Sequence, residues 1–250
     1  MSDLTAILAL SFLGSVAGLI GGVLFLVKDS WARVLCKYAV PFASGVLMSV
    51  SLLHLLPEAS HVLGDKAFIV ALIALLSSFF FEQYFARLHH HGQKDLNKAK
   101  GTVPLVIFGD TIHNFIDGVA IAAAYLTDPV FGIVVALAAF LHETPHEIGD
   151  FGILMSSGWS KGKTFMANLF SALATFPGAI WVYLTFSGGD AHMRIGFLLA
   201  VSAGVFLYLG VGDFLPEVGR EKDGVSTWKK FALLVSGVTV MYLLSLVSPH

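Results

Sequence analysis

Eight apolar blocks, each about 20 residues or longer, make up most of this chain. They run over about 4–27, 33–56, 67–88, 103–126, 129–156, 164–186, 194–216 and 227–248. As a helix, a block of that length covers about 30 Å of hydrocarbon. In lipid every backbone N–H and C=O must be satisfied inside the element, which leaves helices as the solution for isolated blocks. The sequence therefore predicts an all-α polytopic membrane protein with eight transmembrane helices. Composition agrees, since 56% of the 250 residues are hydrophobic and only 13% are charged. A soluble domain would carry about twice that charge. No stretch remains for a second domain, so 1–250 reads as a single transmembrane unit.

Basic residues orient the spans. The gaps between spans fall into two alternating sets, and thirteen of the fifteen Lys and Arg lie in one of them. The other set holds only Lys66 and Arg194. Cytoplasmic loops carry the excess of Lys and Arg, so both termini are expected outside the cytoplasm. The net charge of −2 gives no footprint for nucleic acid. The single Cys36 excludes an internal disulfide and a thiolate metal cluster within one chain.

An internal similarity suggests how the spans are arranged. Ser44 to Glu58 reads SGVLMSVSLLHLLPE and Ala203 to Glu217 reads AGVFLYLGVGDFLPE, aligned without a gap at an offset of 159. The two segments lie on spans 2 and 7, which run in opposite directions. A shared pattern on oppositely directed helices predicts an inverted repeat, with three helices, a central pair and three more (3+2+3). Chance likeness among Gly- and Leu-rich membrane helices is the competing explanation.

The central pair carries what a membrane helix ordinarily lacks. Span 4 contains HNFIDG (113–118) and span 5 contains HETPHE (142–147). Even gentle insertion scales place each charged side chain at about 2.5–3.5 kcal/mol at mid-membrane, so such residues usually line a pathway or pair with one another. Residues four apart share a helix face, which sets His113 with Asp117, His142 with His146 and Glu143 with Glu147. Asn114 lies beside the first pair, and Asp110 and Asp150 lie one turn toward the cytoplasm on their helices. Imidazole with carboxylate suits zinc and other first-row divalent ions, and the absence of thiolates suits reversible binding. Pro145 removes a backbone hydrogen bond inside the second block, so a bend is expected there. The alternative is that these polar side chains only bind the helices together.

Further groups are weaker. His54, Glu58 and His61 follow at roughly helical spacing at the outer end of span 2, as candidate access residues. Asp110, Asp150, Asp213 and Glu217 are candidate exit residues, as are His89, His90 and His91 in the polar loop HHHGQKDLNKAKG (89–101). For these groups, solvated helix ends and a plain linker are the competing explanations.

HNFIDGVAIAAA followed by HETPHEIGDF closely resembles the paired signature of the ZIP (Zrt/Irt-like protein) metal transporters, in the subgroup with HExPHExGD in helix 5. The resemblance extends over the eight spans, the outward termini and the Leu-Pro-Glu ends of spans 2 and 7. It implies movement of Zn2+, and sometimes Fe2+, Mn2+ or Cd2+, into the cytoplasm as transported substrate, with no organic cofactor. A first metal site would use His113, Asp117, His142 and His146. A second would use Asn114, Asp117, Glu143, His146 and Glu147. Some members add a glutamate from helix 6, but 164–186 has no acidic residue, only Asn168 and Ser171. The short loops look like those of a bacterial member, in a cell (inner) membrane. Its partners would be divalent metal ions, the lipid bilayer and a second copy in a homodimer.

Two other functions compete. His142-Glu143-Thr144-Pro145-His146 also satisfies HExxH, the pattern of zinc metalloproteases, in which Glu143 would activate water. Pro145 between the two histidines and the surplus of charged ligands argue against it. A metal-gated channel or sensor is the remaining alternative.

Overall fold

The structure, a computed structural model, describes residues 2–90, 98–186, 191–219 and 224–246, and among them there is no strand. Eight helical rods follow the apolar blocks: α1 (Asp3–Val27), α2 (Asp29–Leu63), α3 (Lys66–His90), α4 (Lys98–Thr127), α5 (Pro129–Ser156), α6 (Lys161–Phe186), α7 (His192–Phe214) and α8 (Thr227–Ser245). Seven contain a stretch long and apolar enough to cross a bilayer. The eighth, α5, has 28 residues but is diluted by HETPHEIGD.

Local chemistry sets where the rods start. Ser2, Ser160 and Ser226 are N-caps, each accepting from a backbone N–H three residues on. Asp128 accepts from Val130 and Phe131 N–H, and Pro129 takes the first helical position, where its missing N–H costs nothing. The path turns from α2 into α3 at Gly64, whose φ of 59° favours glycine.

The rods are interrupted at four places. α2 contains a π-helical turn at Ser51–Leu55 and α7 one at Leu209–Phe214, each just ahead of the proline of a Leu-Pro-Glu. A proline ring crowds the carbonyl four residues back, and the wider π turn relieves that contact. α1 breaks at Ser15 into a 3-10 turn (Val16–Leu19), and α6 pauses between Ala172 and Thr175. The two breaks face each other, with Ser15 Oγ lying 3.0 Å from the Ala172 carbonyl oxygen. α5 is assigned as one unbroken helix through Pro145.

Small residues bring the rods together, as expected where lipid removes the hydrophobic drive between helices. α2 packs on α8, α3 on α7, α4 on α6 and α1 on α5, while α4 and α5 also run along each other. A β-carbon at Gly45 would lie 2.1 Å from the Leu234 carbonyl oxygen on α8. At Gly204, its counterpart at the 159-residue offset, one would lie 2.1 Å from the Ala71 carbonyl oxygen on α3. Ala120 to Ala124 and Ala136 to Ala139 pack the centre, whereas Phe80, Phe170, Leu184 and Trp228 face outward, toward lipid.

Candidate metal site

α4 and α5 deliver their polar faces to the middle of the bundle. His113 and Asp117 come from α4, one turn apart, and His142 and Glu143 from α5; all four are buried. His113 Nε2 lies 3.1 Å from His142 Nε2 and 2.8 Å from Glu143 Oε1. Asp117 Oδ2 lies 3.8 Å from His113 Nε2 and 3.4 Å from His142 Nε2. His142 Nε2 to Glu143 Oε1 is 3.6 Å. A tetrahedral zinc shell with bonds of about 2.0–2.1 Å has edges of about 3.3–3.4 Å, and these separations scatter around that value. The separations fit a divalent cation.

Two features prepare the shell. His142 Nδ1 lies 2.9 Å from the Ala138 carbonyl, which can only accept, so Nδ1 carries the proton and the Nε2 lone pair faces the cluster. Among the described residues, no hydrogen-bond partner reaches His113 Nδ1, Glu143 Oε2 or either oxygen of Asp117 and Glu147. An unpaired buried polar group is destabilising by about 1–3 kcal/mol, more when charged. A cation would supply the partner that these buried anionic oxygens lack.

The grouping differs from the one the resemblance implies. Glu143, rather than His146, joins His113, Asp117 and His142. His146 turns instead toward Asp110 and Asp150, and Asp110, Glu143 and Glu147 make an all-carboxylate group between the two. Asn114 is held by neighbours on three helices. Its Oδ1 accepts from Ser15 Oγ on α1 and from Thr175 Oγ1 on α6 (3.2 Å), and its amide donates to Asp110 Oδ1 at 2.9 Å. On α6, Asn168 donates to the Thr164 carbonyl, while Ser171 pairs with Thr111 and also reaches Asp110.

The weaker groups are dispersed. His54 is buried, donates through Nε2 to the Met241 carbonyl at 3.0 Å and stacks on Phe131, while Glu58 is half-buried and His61 exposed. Asp213 lines a cavity of about 840 Å³ together with Asp110, His146 and Asp150. His91 and the side chains of His89, His90 and Glu217 lie outside the described residues. Sequence reasoning missed Glu82 of α3, which lines the same cavity and accepts from the Tyr208 hydroxyl. An acidic residue inside an apolar span was the available signal. Ser15 and Thr175, which hold Asn114, carry no such signal.

The model of the ZIP Zinc transporter family matches residues 87–245, well over half of the chain and all of this site. The chain belongs to the ZIP family. Among its relatives, human "Zinc transporter ZIP4" is 38% identical over 146 residues, covering 57% of this chain and 22% of that protein. "Zinc transporter ZIP10" of Danio rerio is 37% identical over 154 residues, covering 58% and 18%. "Zinc transporter ZIP13" of Pongo abelii is 29% identical over 224 residues, covering 84% and 67%. The chain thus spans about a fifth of the length of the ZIP4 and ZIP10 relatives.

Proposed function

We propose that this chain moves zinc across a membrane into the cytoplasm through the α4/α5 site, with Fe2+, Mn2+ and Cd2+ as further substrates. The observation that carries the reading is the buried group of His113, Asp117, His142 and Glu143, with zinc-like separations and orphaned carboxylate oxygens. Two imidazoles and two carboxylates neutralise a dication while keeping its shell rich in nitrogen, which suits zinc. Both termini lie outside the cytoplasm in this reading, in keeping with the distribution of Lys and Arg. The setting is a cell (inner) membrane of bacterial type, and the working unit is one copy or a homodimer.

The helices are arranged as an inverted 3+2+3 repeat. Support comes from the paired π turns of α2 and α7 and from the equivalent close approaches of Gly45 and Gly204. Such a repeat serves alternating access around a fixed site. A protease reading would have Glu143 activate water, but Glu143 Oε1 lies 2.8 Å from His113, among the prospective ligands. A fourth ligand there fills the position a catalytic zinc keeps open.

The test is zinc flux into proteoliposomes holding the purified chain, with iron, manganese and cadmium in competition. Saturable zinc uptake that Asp117→Asn abolishes is expected. Uptake no faster than in empty liposomes would overturn the reading.

A further inference from the structure

We infer that Ser15 and Thr175 are positioning residues for the passage of zinc, acting through Asn114, which serves as a relay to Asp110 and not as a ligand. The inference rests on the reading of α4 and α5 as the zinc path. Asn114 is buried, one helical turn from Asp110 on α4. Its amide nitrogen lies 3.1 Å from the Asp110 carbonyl oxygen and 2.9 Å from Asp110 Oδ1. A backbone carbonyl can only accept, so the NH2 group faces Asp110 and Oδ1 faces the other way. There the hydroxyls of Ser15 on α1 and Thr175 on α6 (3.2 Å), both buried, donate to it.

Every polar atom of the side chain is thereby used. Two N–H groups meet two acceptors, and the two lone pairs of Oδ1 meet two donors. None is left for a cation. Asp117, Glu143 and Glu147 differ, since each keeps an oxygen that no hydrogen bond reaches among the described residues. The contrast separates a residue that orients from residues that bind.

What Asn114 orients lies on the path. Asp110 Oδ1 is 3.7 Å from His146 Nδ1, and an Asp110 oxygen comes within 4.8 Å of oxygens of Glu143 and Glu147. Carboxylates this close repel one another, and a charge-assisted hydrogen bond from the amide holds Asp110 against that repulsion. The backbone is shaped to supply the two donors. α6 pauses ahead of Pro177, which has no N–H for the Leu173 carbonyl, and Thr175 resumes the helix. α1 has no proline, yet it breaks at Ser15. Interruptions in two helices thus meet on one side chain of a third.

Initial rates of zinc uptake against zinc concentration, in proteoliposomes holding the purified full chain, test this. Ser15→Ala with Thr175→Val should lower the maximal rate at least about tenfold and shift half-saturating zinc less than about threefold, because the capturing ligands are untouched. Ser15→Thr with Thr175→Ser keeps both hydroxyls and should restore most of the rate. Asn114→Leu should match the loss, and adding Ser15→Ala and Thr175→Val to it should cost nothing more. Losses that multiply in that background would mean that the hydroxyls act by another route, and the relay falls. Asn114→Asp keeps the acceptor for both hydroxyls but removes the donor and sets a negative charge against Asp110. Its rate should fall at least as far as that of Asn114→Leu; a wild-type rate with unchanged or tighter half-saturation would make Asn114 a ligand and overturn the inference. Thr175→Val alone, which is isosteric, carries the test if the double variant does not fold, and a wild-type rate there also overturns it. A wild type without uptake would sink the transport reading and this role with it, whereas equal rates for an active wild type and the double variant sink only the relay.

Discussion

A single carbonyl decides how His142 works. With Nδ1 committed to Ala138, the ring can present only Nε2, a lone-pair nitrogen, to the cluster. Selectivity should follow from that nitrogen. His142→Glu replaces it with a hard oxygen and adds a negative charge, and manganese prefers oxygen to imidazole. Competition assays should therefore show manganese and iron flux rising relative to zinc, with cadmium less affected; an unchanged zinc-to-manganese ratio in an active variant would remove His142 from the selectivity set. Asp117 is the harsher case. Asp117→Asn keeps the shape but removes one of two anionic charges from a buried dication, and proteoliposome zinc flux should fall at least about tenfold, equivalent to about 1.4 kcal/mol. Flux near the wild-type level would dissociate Asp117 from the path. The identities of these residues were legible in HNFIDG and HETPHE because mid-membrane ionisable groups stand out. Their grouping was not, because helical spacing cannot say which way His146 turns or that Ser15, far away in the chain, occupies Asn114.

The helices hold the site through close backbone approaches rather than through large side chains. A β-carbon at Gly178 of α6 would lie 2.2 Å from the Phe115 carbonyl oxygen of α4, and one at Gly118 of α4 would lie 1.9 Å from the Thr175 carbonyl oxygen. Backbone atoms cannot rotate out of the way, so α4 and α6 must separate to admit even a methyl group. Gly178→Ala should destabilise the protein by about 1–3 kcal/mol, the range for overpacking. Gly162→Ala is the control, since nothing lies within 4 Å of its β-carbon. Alanine also favours helix over glycine by up to about 1 kcal/mol, so that variant should be neutral or slightly stabilised. Thermal unfolding in detergent measures both, and equal stability of the two variants would contradict the close contact. Rod number and extent were readable from the apolar blocks. The π turns, the break at Ser15 and the pause after Ala172 were not, because they answer to crowding and to partners on other helices.

At the scale of the whole molecule, the orientation of the bundle gives the path a direction. The cavity runs along α3 and α7 from Val70 and Phe197 to Glu82 and Asp213, and of its α4 and α5 lining Asp110 and Asp150 lie on the side of His113 and His146 nearer the Lys98 end of α4 and the Ser156 end of α5. Those helix ends adjoin the loops that hold nearly all the Lys and Arg, so in the proposed orientation Asp110 and Asp150 lie on the cytoplasmic side of His113 and His142. Release of the cargo there, and hence import, depends on that orientation. Two exposed positions at opposite ends of the bundle report on it: Asp65, in the turn between α2 and α3, and Lys163, in the first turn of α6. With Cys36→Ser as background, an impermeant thiol reagent added to intact cells should label Asp65→Cys and spare Lys163→Cys until the membrane is opened. The opposite pattern would put Asp110 and Asp150 on the outer side and overturn the claim of import. Labelling of both in intact cells would mean that the chain inserts in two orientations. The order of residues along α4 and α5 could not then define one direction of flux.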